Sequence, residues 1–290
     1  MNSAFDLKGG SLLGLSVYLS IVLVGFAAGA FGSMVGVGGG ALVVPILTLG
    51  FGVPIHNAVG ASVVAVIATS SAGAANYVRD RLSNVRLGLT LELFTTVGGV
   101  IGGLLGSELS TTALTAIFGL FTFLASYMVF RHPCGAEEPV AKADDLGLLG
   151  TTFRDVRTDW EVRYRVRRVP LGLAASFLAG NLSGLLGVGG GIIMVSVMTL
   201  AMGVPLKAAM ATSSFTIGVT AAASAFIYFT RGMINPLIAA PTAIGVYAGA
   251  TFGSWLGPRL DSRTLARIFA LVVSIMGVQM IWKVLTGVIR

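Results

Sequence analysis

Charge is what this sequence has least of. Asp, Glu, Lys and Arg together make 11% of its 290 residues, where an ordinary soluble domain carries about 25%. Apolar residues make 55%, and the combination excludes a water-soluble globule. Cysteine occurs once, at Cys134, so there is no intramolecular disulfide and no cysteine neighbour for a metal-site pattern. Histidine occurs twice, at His56 and His132. No HExxH pattern and no Asp-rich pair lies in an apolar run, so no catalytic set can be assembled. Neither an enzyme nor a resident cofactor or metal is expected. The formal charge of +7 would suit nucleic acid in a soluble chain. Here the basic residues sit in short segments between apolar runs, where they orient membrane proteins. The partner they imply is the lipid bilayer, not nucleic acid.

What the sequence has in quantity is apolar length. About 20 apolar residues span a bilayer, so the expected class is an all-α polytopic membrane protein. The charges that exist are concentrated: residues 131 to 168 hold eight Lys/Arg and seven Asp/Glu, 15 of the chain's 31 charges. The organisation expected is therefore a first transmembrane unit over 1–130, a charged linker over 131–168 and a second transmembrane unit over 169–290. The first apolar run ends in Ala28-Gly29-Ala30, which mimics a cleavable signal. Its length and the recurrence of its glycine-rich end argue for a span instead.

That recurrence runs far. Shifting the sequence on itself by 151 positions lays Gly29 to Leu109 on Gly180 to Leu260 without a gap, with about two dozen identities. Gly36-Val37-Gly38-Gly39-Gly40 falls on Gly187-Val188-Gly189-Gly190-Gly191, and Gly52-Val53-Pro54 on Gly203-Val204-Pro205. Ser62 matches Ser213, Tyr77 matches Tyr228, and Asn84 matches Asn235. Each unit reads as about five apolar segments: Leu12 to Met34, Ala41 to Gly50, Asn57 to Val78, Leu87 to Ser107 and Thr111 to Phe130. The second set is Val169 to Leu186, Ile192 to Met202, Leu206 to Phe229, Leu237 to Gly257 and Leu265 to Ile289. The second segment of each set is too short to span, and its irregular backbone is tolerated at membrane depth only when buried in protein or lining a watery cavity.

Arginine placement sets orientation. Arg79, Arg81 and Arg86 mark one junction, and Arg131 with Arg163, Arg165, Arg167 and Arg168 mark another two spans away; both belong in the cytoplasm. In the second unit the counterpart of the first junction keeps only Arg231, while the counterpart of the nearly uncharged Ser107 to Ser110 junction holds Arg259, Arg263 and Arg267. The positive side swaps, so the expectation is two inverted-topology repeats, an external N-terminus and a cytoplasmic linker.

Inverted repeats with glycine-interrupted short helices place a substrate site where those segments meet near the midplane. The segments beginning at Ala41 and Ile192 would point amide N–H groups and positive dipole ends at it, a setting for an oxyanion. The candidate substrate-binding residues are Gly38, Gly39, Gly40, Gly189, Gly190 and Gly191, with the hydroxyls of Ser33, Ser62, Ser183, Thr212, Ser213 and Ser214. The competing reading is that the glycines only let helices pack and the hydroxyls bond backbone carbonyls. The run Gly36 to Gly40 lacks the Lys-Ser or Lys-Thr of a phosphate loop and a preceding soluble strand. Glu92, about 9 Å into its helix from Arg86, is a candidate for a coupling ion; pairing with Arg86 or Arg79 is its alternative. His56 and Lys207 stand at equivalent positions and are vestibule candidates or simple surface markers. The triplets Gly98, Gly102, Gly106 and Gly249, Gly253, Gly257 allow close helix approach, as internal packing or as a homodimer contact. The alternation in Glu161-Val-Arg-Tyr-Arg-Val-Arg-Arg168 signals a short strand. A cytoplasmic hairpin, a segment against anionic headgroups and a solvated connector are all open for it.

The doubled Gly-x-Gly-Gly-Gly before an apolar run, with Pro45 in the first copy and Ser196 in its place in the second, and the Gly-Val-Pro…Ala…Ser stretches after it, resemble the TauE/SafE family of sulfite exporters and sulfonate permeases. The resemblance spans both repeats. It implies a secondary transporter of a prokaryotic cytoplasmic membrane that moves sulfite, sulfoacetate, related sulfonates or other organic anions by alternating access, with Gly38 to Gly40 and Gly189 to Gly191 as the motif residues. Coupling to protons or to sodium stays open. The alternatives from other classes are an anion channel, because glycine-lined re-entrant segments also build filters, and a non-transporting membrane partner protein.

Overall fold

The computed structural model describes residues 12–36, 38–131, 147–154, 161–257, 260 and 262–286. His132, Cys134, Arg259 and most of the linker lie outside them. The first half comprises α1 (Leu12–Val35), α2 (Gly40–Pro45) continued by a wider π-helical turn (Ile46–Gly50), α3 (Ile55–Arg79), α4 (Val85–Glu108) and α5 (Thr111–Arg131). A hairpin of β1 (Thr151–Arg154) and β2 (Glu161–Tyr164) follows. The second half comprises α6 (Val169–Leu186), α7 (Gly191–Leu200), α8 (Leu206–Thr230), α9 (Pro236–Leu256) and α10 (Ser262–Leu285). The chain is an all-α polytopic membrane protein: among the described residues seven helices are long and apolar enough to cross a bilayer. Their outer faces carry bare apolar side chains such as Leu93, 71% exposed, and Phe229, 68% exposed. Such a belt suits contact with lipid.

Helix boundaries follow the repeated punctuation. Gly52 (φ +66°) and Gly203 (φ +72°) take the left-handed conformation that glycine adopts without penalty. They turn the chain so that Val53 N donates to Leu47 O at 3.0 Å and Val204 N to Met198 O at 2.8 Å. Pro54 and Pro205 then stand in extended conformation as the N-caps of α3 and α8, where the missing N–H costs nothing. Asn84 and Asn235 cap α4 and α9, their side-chain oxygens accepting from Leu87 N at 3.1 Å and Leu237 N at 3.0 Å. One repeated position differs. Pro45 has no N–H to bond the preceding turn, and the first short helix widens after it. Ser196 keeps its N–H, donates its hydroxyl to Ile192 O at 2.8 Å, and α7 runs on regularly.

Packing follows the duplication. α1 lies along α9 and α4 along α6; α3 lies along α9 and α8 along α4; α3 meets α8, and α5 meets α10. Equivalent residues make equivalent approaches. A Cβ on Gly98 would fall 2.2 Å from Phe177 O and one on Gly249 would fall 1.9 Å from Phe26 O; Gly102 and Gly253 meet the carbonyls of Asn181 and Ala30 in the same way. Both glycine triplets are thus filled from within the chain, by α6 and by α1, rather than left for a second copy.

Each short helix folds back along the helix before it. Arg167 N donates to Met202 O at 3.0 Å, tying the end of α7 to the start of α6. Gly39, at the start of α2, abuts Ala28 of α1. The second short segment is therefore folded back on α6 as a hairpin. The linker is more than a solvated connector. Phe153 and Tyr164 are buried and meet edge to face at 6.3 Å. Asn84 Nδ2 donates to Leu149 O at 2.7 Å and to Tyr164 Oη at 3.1 Å. The hairpin thereby closes one end of the bundle, joining the α3–α4 turn to the base of α6 and α7.

Candidate glycine-turn site

The two glycine turns meet each other. Gly36 (φ +75°), Gly38 (φ +87°) and Gly39 (φ +71°) are matched by Gly187 (φ +67°), Gly189 (φ +89°) and Gly190 (φ +65°). Repeated positive φ is the arrangement that turns successive amides to one side, and a side chain at these positions would strain the backbone. A Cβ on Gly40 would stand 2.3 Å from Gly187 O, so the first turn rests directly on the second. A Cβ on Gly38 would meet Ile217 Cδ1 at 2.6 Å and Val66 Cγ1 at 3.4 Å. Val66 and Ile217 are equivalent residues at the middle of α3 and α8. The contact between the turns is thus at mid-depth in the bundle, and every described residue of the two turns is buried.

The predicted hydroxyls divide into two groups. Ser62 Oγ donates to Gly187 O at 2.6 Å, and its counterpart Ser213 Oγ donates to Gly36 O at 3.1 Å. Each serine belongs to one repeat and holds the turn of the other. Ser33 Oγ lies 3.1 Å from Ala250 O and 3.2 Å from Ala30 O, and Thr212 Oγ1 accepts from Asn84 N at 2.9 Å. All four hydroxyls are engaged with backbone groups. Ser183 and Ser214 are different: both hydroxyls are buried without a hydrogen-bond partner. Ser183 Cβ is 3.2 Å from where a Cβ of Gly190 would be. A buried hydroxyl left unpaired is costly and is a donor in waiting. Thr48 Oγ1, in the widened turn after α2, is a third.

Sequence reasoning missed several residues around the turns. Thr69 Oγ1 lies 3.5 Å from the Cβ position of Gly39. Tyr77 Oη donates to Ser33 O at 2.9 Å and Tyr228 Oη to Leu185 O at 3.1 Å, fixing the ends of α1 and α6 where the turns begin. The signal was present, since Thr69 with Thr220 and Tyr77 with Tyr228 are identities of the repeat.

The outlying candidates fall elsewhere. His56 is half-buried, with Nε2 3.0 Å from Leu109 O, and so joins the start of α3 to the α4–α5 turn. Lys207 is also half-buried, in the first turn of α8, about 15 Å along the helix from Ile217. Neither reaches the glycine turns. Glu92 does not pair with Arg86 or Arg79. Arg79 lies 3.7 Å from Asp80, while the Glu92 carboxylate accepts from Thr96 at 2.8 Å, Thr220 at 2.8 Å and Thr95 at 3.0 Å. Among the described residues no cluster of His, Cys, Asp and Glu is placed to hold a metal ion.

Comparison with known proteins gives a family and a set of relatives. The family described as sulfite exporter TauE/SafE matches residues 21–280. The chain is similar to the probable membrane transporter protein YunE of Bacillus subtilis, at 27% identity over 92% of this chain and 98% of that protein. A probable membrane transporter protein of Methanocaldococcus jannaschii is 26% identical over 90% of this chain and 94% of its own length. YdhB of Bacillus subtilis, also named a probable membrane transporter protein, is 26% identical over 81% of this chain and 88% of its own length. No solved structure shows a significant match.

Proposed function

The chain belongs to the sulfite exporter TauE/SafE family, and from that premise we propose that this membrane transporter is a secondary permease for sulfur oxyanions and related organic anions. The observation that carries the reading is the pair of buried glycine turns in contact at mid-depth, each held by a serine of the other repeat. The α7 N-terminus and the unpaired Ser183 hydroxyl beside Gly190 offer N–H and O–H donors there. Among the described residues no cationic side chain is needed at this depth, because helix-terminal amides bind anions through partial charge. The substrate class fits that chemistry: sulfite and sulfonates present several oxygen acceptors and no obligatory positive partner.

Inverted topology is part of this proposal and would let the two repeats alternate between the two sides. α4 runs in the direction of α8, with Asn84 beside Thr212, Glu92 beside Thr220 and Gly99 beside Ser224. α3 crosses its equivalent α8 in the opposite direction: Gly60 approaches Met233, whereas Ser70 donates to Ser214 O and Gly73 lies beside Ser214. The end carrying Arg79, Arg81, Arg86 and the basic hairpin is the cytoplasmic one by the distribution of positive charge. Burial of both turns favours a site opened to one side at a time over a continuously open pore.

The test is uptake of radiolabelled sulfite and a panel of sulfonates and carboxylates into proteoliposomes, with and without a proton gradient. Saturable uptake of a sulfur oxyanion is the expected result. Large unitary currents in planar bilayers would favour a channel. Failure of every anion in folded, reconstituted protein would overturn the substrate class.

A further inference from the structure

We propose that Glu92, with Thr95, Thr96 and Thr220, forms the site that binds the coupling proton, an inference that rests on the permease reading above. Glu92 is 6% exposed, and the hydrogen-bond partners of its carboxylate are three hydroxyls. A carboxylate taken out of water without a positive partner is costly. Binding a proton from the aqueous phase on one side and returning it on the other removes that charge during part of the cycle, and no other co-reactant is required.

Among the described residues no charged side chain hydrogen-bonds to Glu92. α4 packs against α6 and α8. α6 carries no ionisable side chain, nor does α7 behind it. On α8 the ionisable residues are Lys207, about 20 Å along the helix from Thr220, and Tyr228, which donates to Leu185 O. On α4 itself Arg86 is about 9 Å along the helix. Tyr77 of α3 and Tyr164 of the hairpin are engaged with Ser33 and Asn84. Protonation therefore acts on a site whose neighbours are neutral.

Position connects the proton to the transport site. Thr95 and Thr96 move with Glu92, being on the same helix, but Thr220 belongs to α8. Its hydroxyl reaches the carboxylate across a glycine face: Cβ atoms on Gly88 and Gly99 would stand 3.1 Å from Thr216 Cγ2 and 2.7 Å from Thr220 Cγ2. Three residues before Thr220, Ile217 touches Gly38, and Ser213 on the same helix holds the Gly36 carbonyl. A displacement of α8 against α4 thus changes the ligation of Glu92 and the seating of the first glycine turn together. The second repeat has Ala243 at the equivalent position, so the site occurs once despite the duplication.

Infrared difference spectra of the purified full-length protein, taken between acidic and alkaline buffer, read this carboxyl directly. Wild type is expected to gain more protonated-carboxyl absorbance on acidification than E92Q, and the midpoint of that difference band is expected to shift in T220V. In proteoliposomes, a proton gradient is expected to drive accumulation of labelled sulfite by wild type, and E92Q to lose that accumulation. A band undiminished in E92Q, accumulation by E92Q equal to wild type, or wild-type accumulation that follows sodium instead of protons overturns the proposal. Counterflow of sulfite by wild type without any gradient tests the permease reading alone. Counterflow without the titrating band defeats the proton site and leaves the permease. The band without counterflow defeats the permease and with it the coupling role, leaving Glu92 only a titrating carboxyl.

Discussion

Alanine at Gly39 or Gly190 tests whether the turns are the transport site, because the fold supplies its own controls. Gly39 (φ +71°) and Gly190 (φ +65°) hold left-handed backbone, which costs an L-residue about 1–2 kcal/mol. Added methyl groups would also stand 3.1 Å from Ala28 O and 2.9 Å from Ala179 O, against backbone that cannot swing aside. Gly52 (φ +66°) and Gly232 (φ +67°) carry the same conformational cost, but a Cβ at either meets nothing within 4 Å, and both lie in end turns. All four alanine variants therefore share a penalty of about 1–2 kcal/mol. Only G39A and G190A add a clash, each pressing its glycine turn against the helix that precedes it, α1 or α6. A strain of about 1.4 kcal/mol that is relieved by moving the turn depletes the competent conformation about tenfold. Sulfite uptake in proteoliposomes is expected to fall by roughly ten times or more for G39A and G190A and to stay near wild type for G52A and G232A. Valine at the first pair, β-branched and bulkier, should abolish transport while leaving the protein inserted. Wild-type flux in G39A or G190A, or an equal loss in G52A, would refute the placement of the site.

Loss of the cross-repeat serines should destabilise without altering the backbone: S62A leaves the buried Gly187 carbonyl unpaired and S213A that of Gly36, each worth about 1–3 kcal/mol, read as a lowered detergent melting temperature. N84A removes the α4 cap and both hairpin bonds, whereas Y164F removes one bond alone; proteolysis of the linker should accelerate more in N84A than in Y164F. The same hairpin carries a pH signature. Burial pushes the Tyr164 phenol up to about 12, from an ordinary value of about 10, so the folded state holds the proton that the free chain releases. Its contribution to docking is complete below pH ~10 and declines as pH rises toward ~12; linker protection should follow that window in wild type and lose it in Y164F.

Much of this protein was decided by local sequence. Spans, re-entry turns and caps follow from apolar length, from Gly52-Val53-Pro54 and its copy, and from Asn84 and Asn235, because these features act within a few residues of themselves. The duplication was equally legible, since register is a property of sequence. Glu92, Thr95 and Thr96 shared a helix face that spacing alone reveals. Their fourth member, Thr220, is 128 residues away, and no periodicity links α4 to α8. The pairing of Ser62 with Gly187 and of Ser213 with Gly36 is likewise tertiary: a hydroxyl in one repeat and a carbonyl in the other meet only because the two halves pack face to face. So is the division among the predicted hydroxyls, with Ser62 and Ser213 spent on holding turns and Ser183 and Ser214 left with free donors. The sequence by itself determined which elements exist and that they come in two copies. The tertiary structure decided which polar groups are satisfied, because satisfaction depends on partners brought together by packing, and unsatisfied donors are what a buried anion can use.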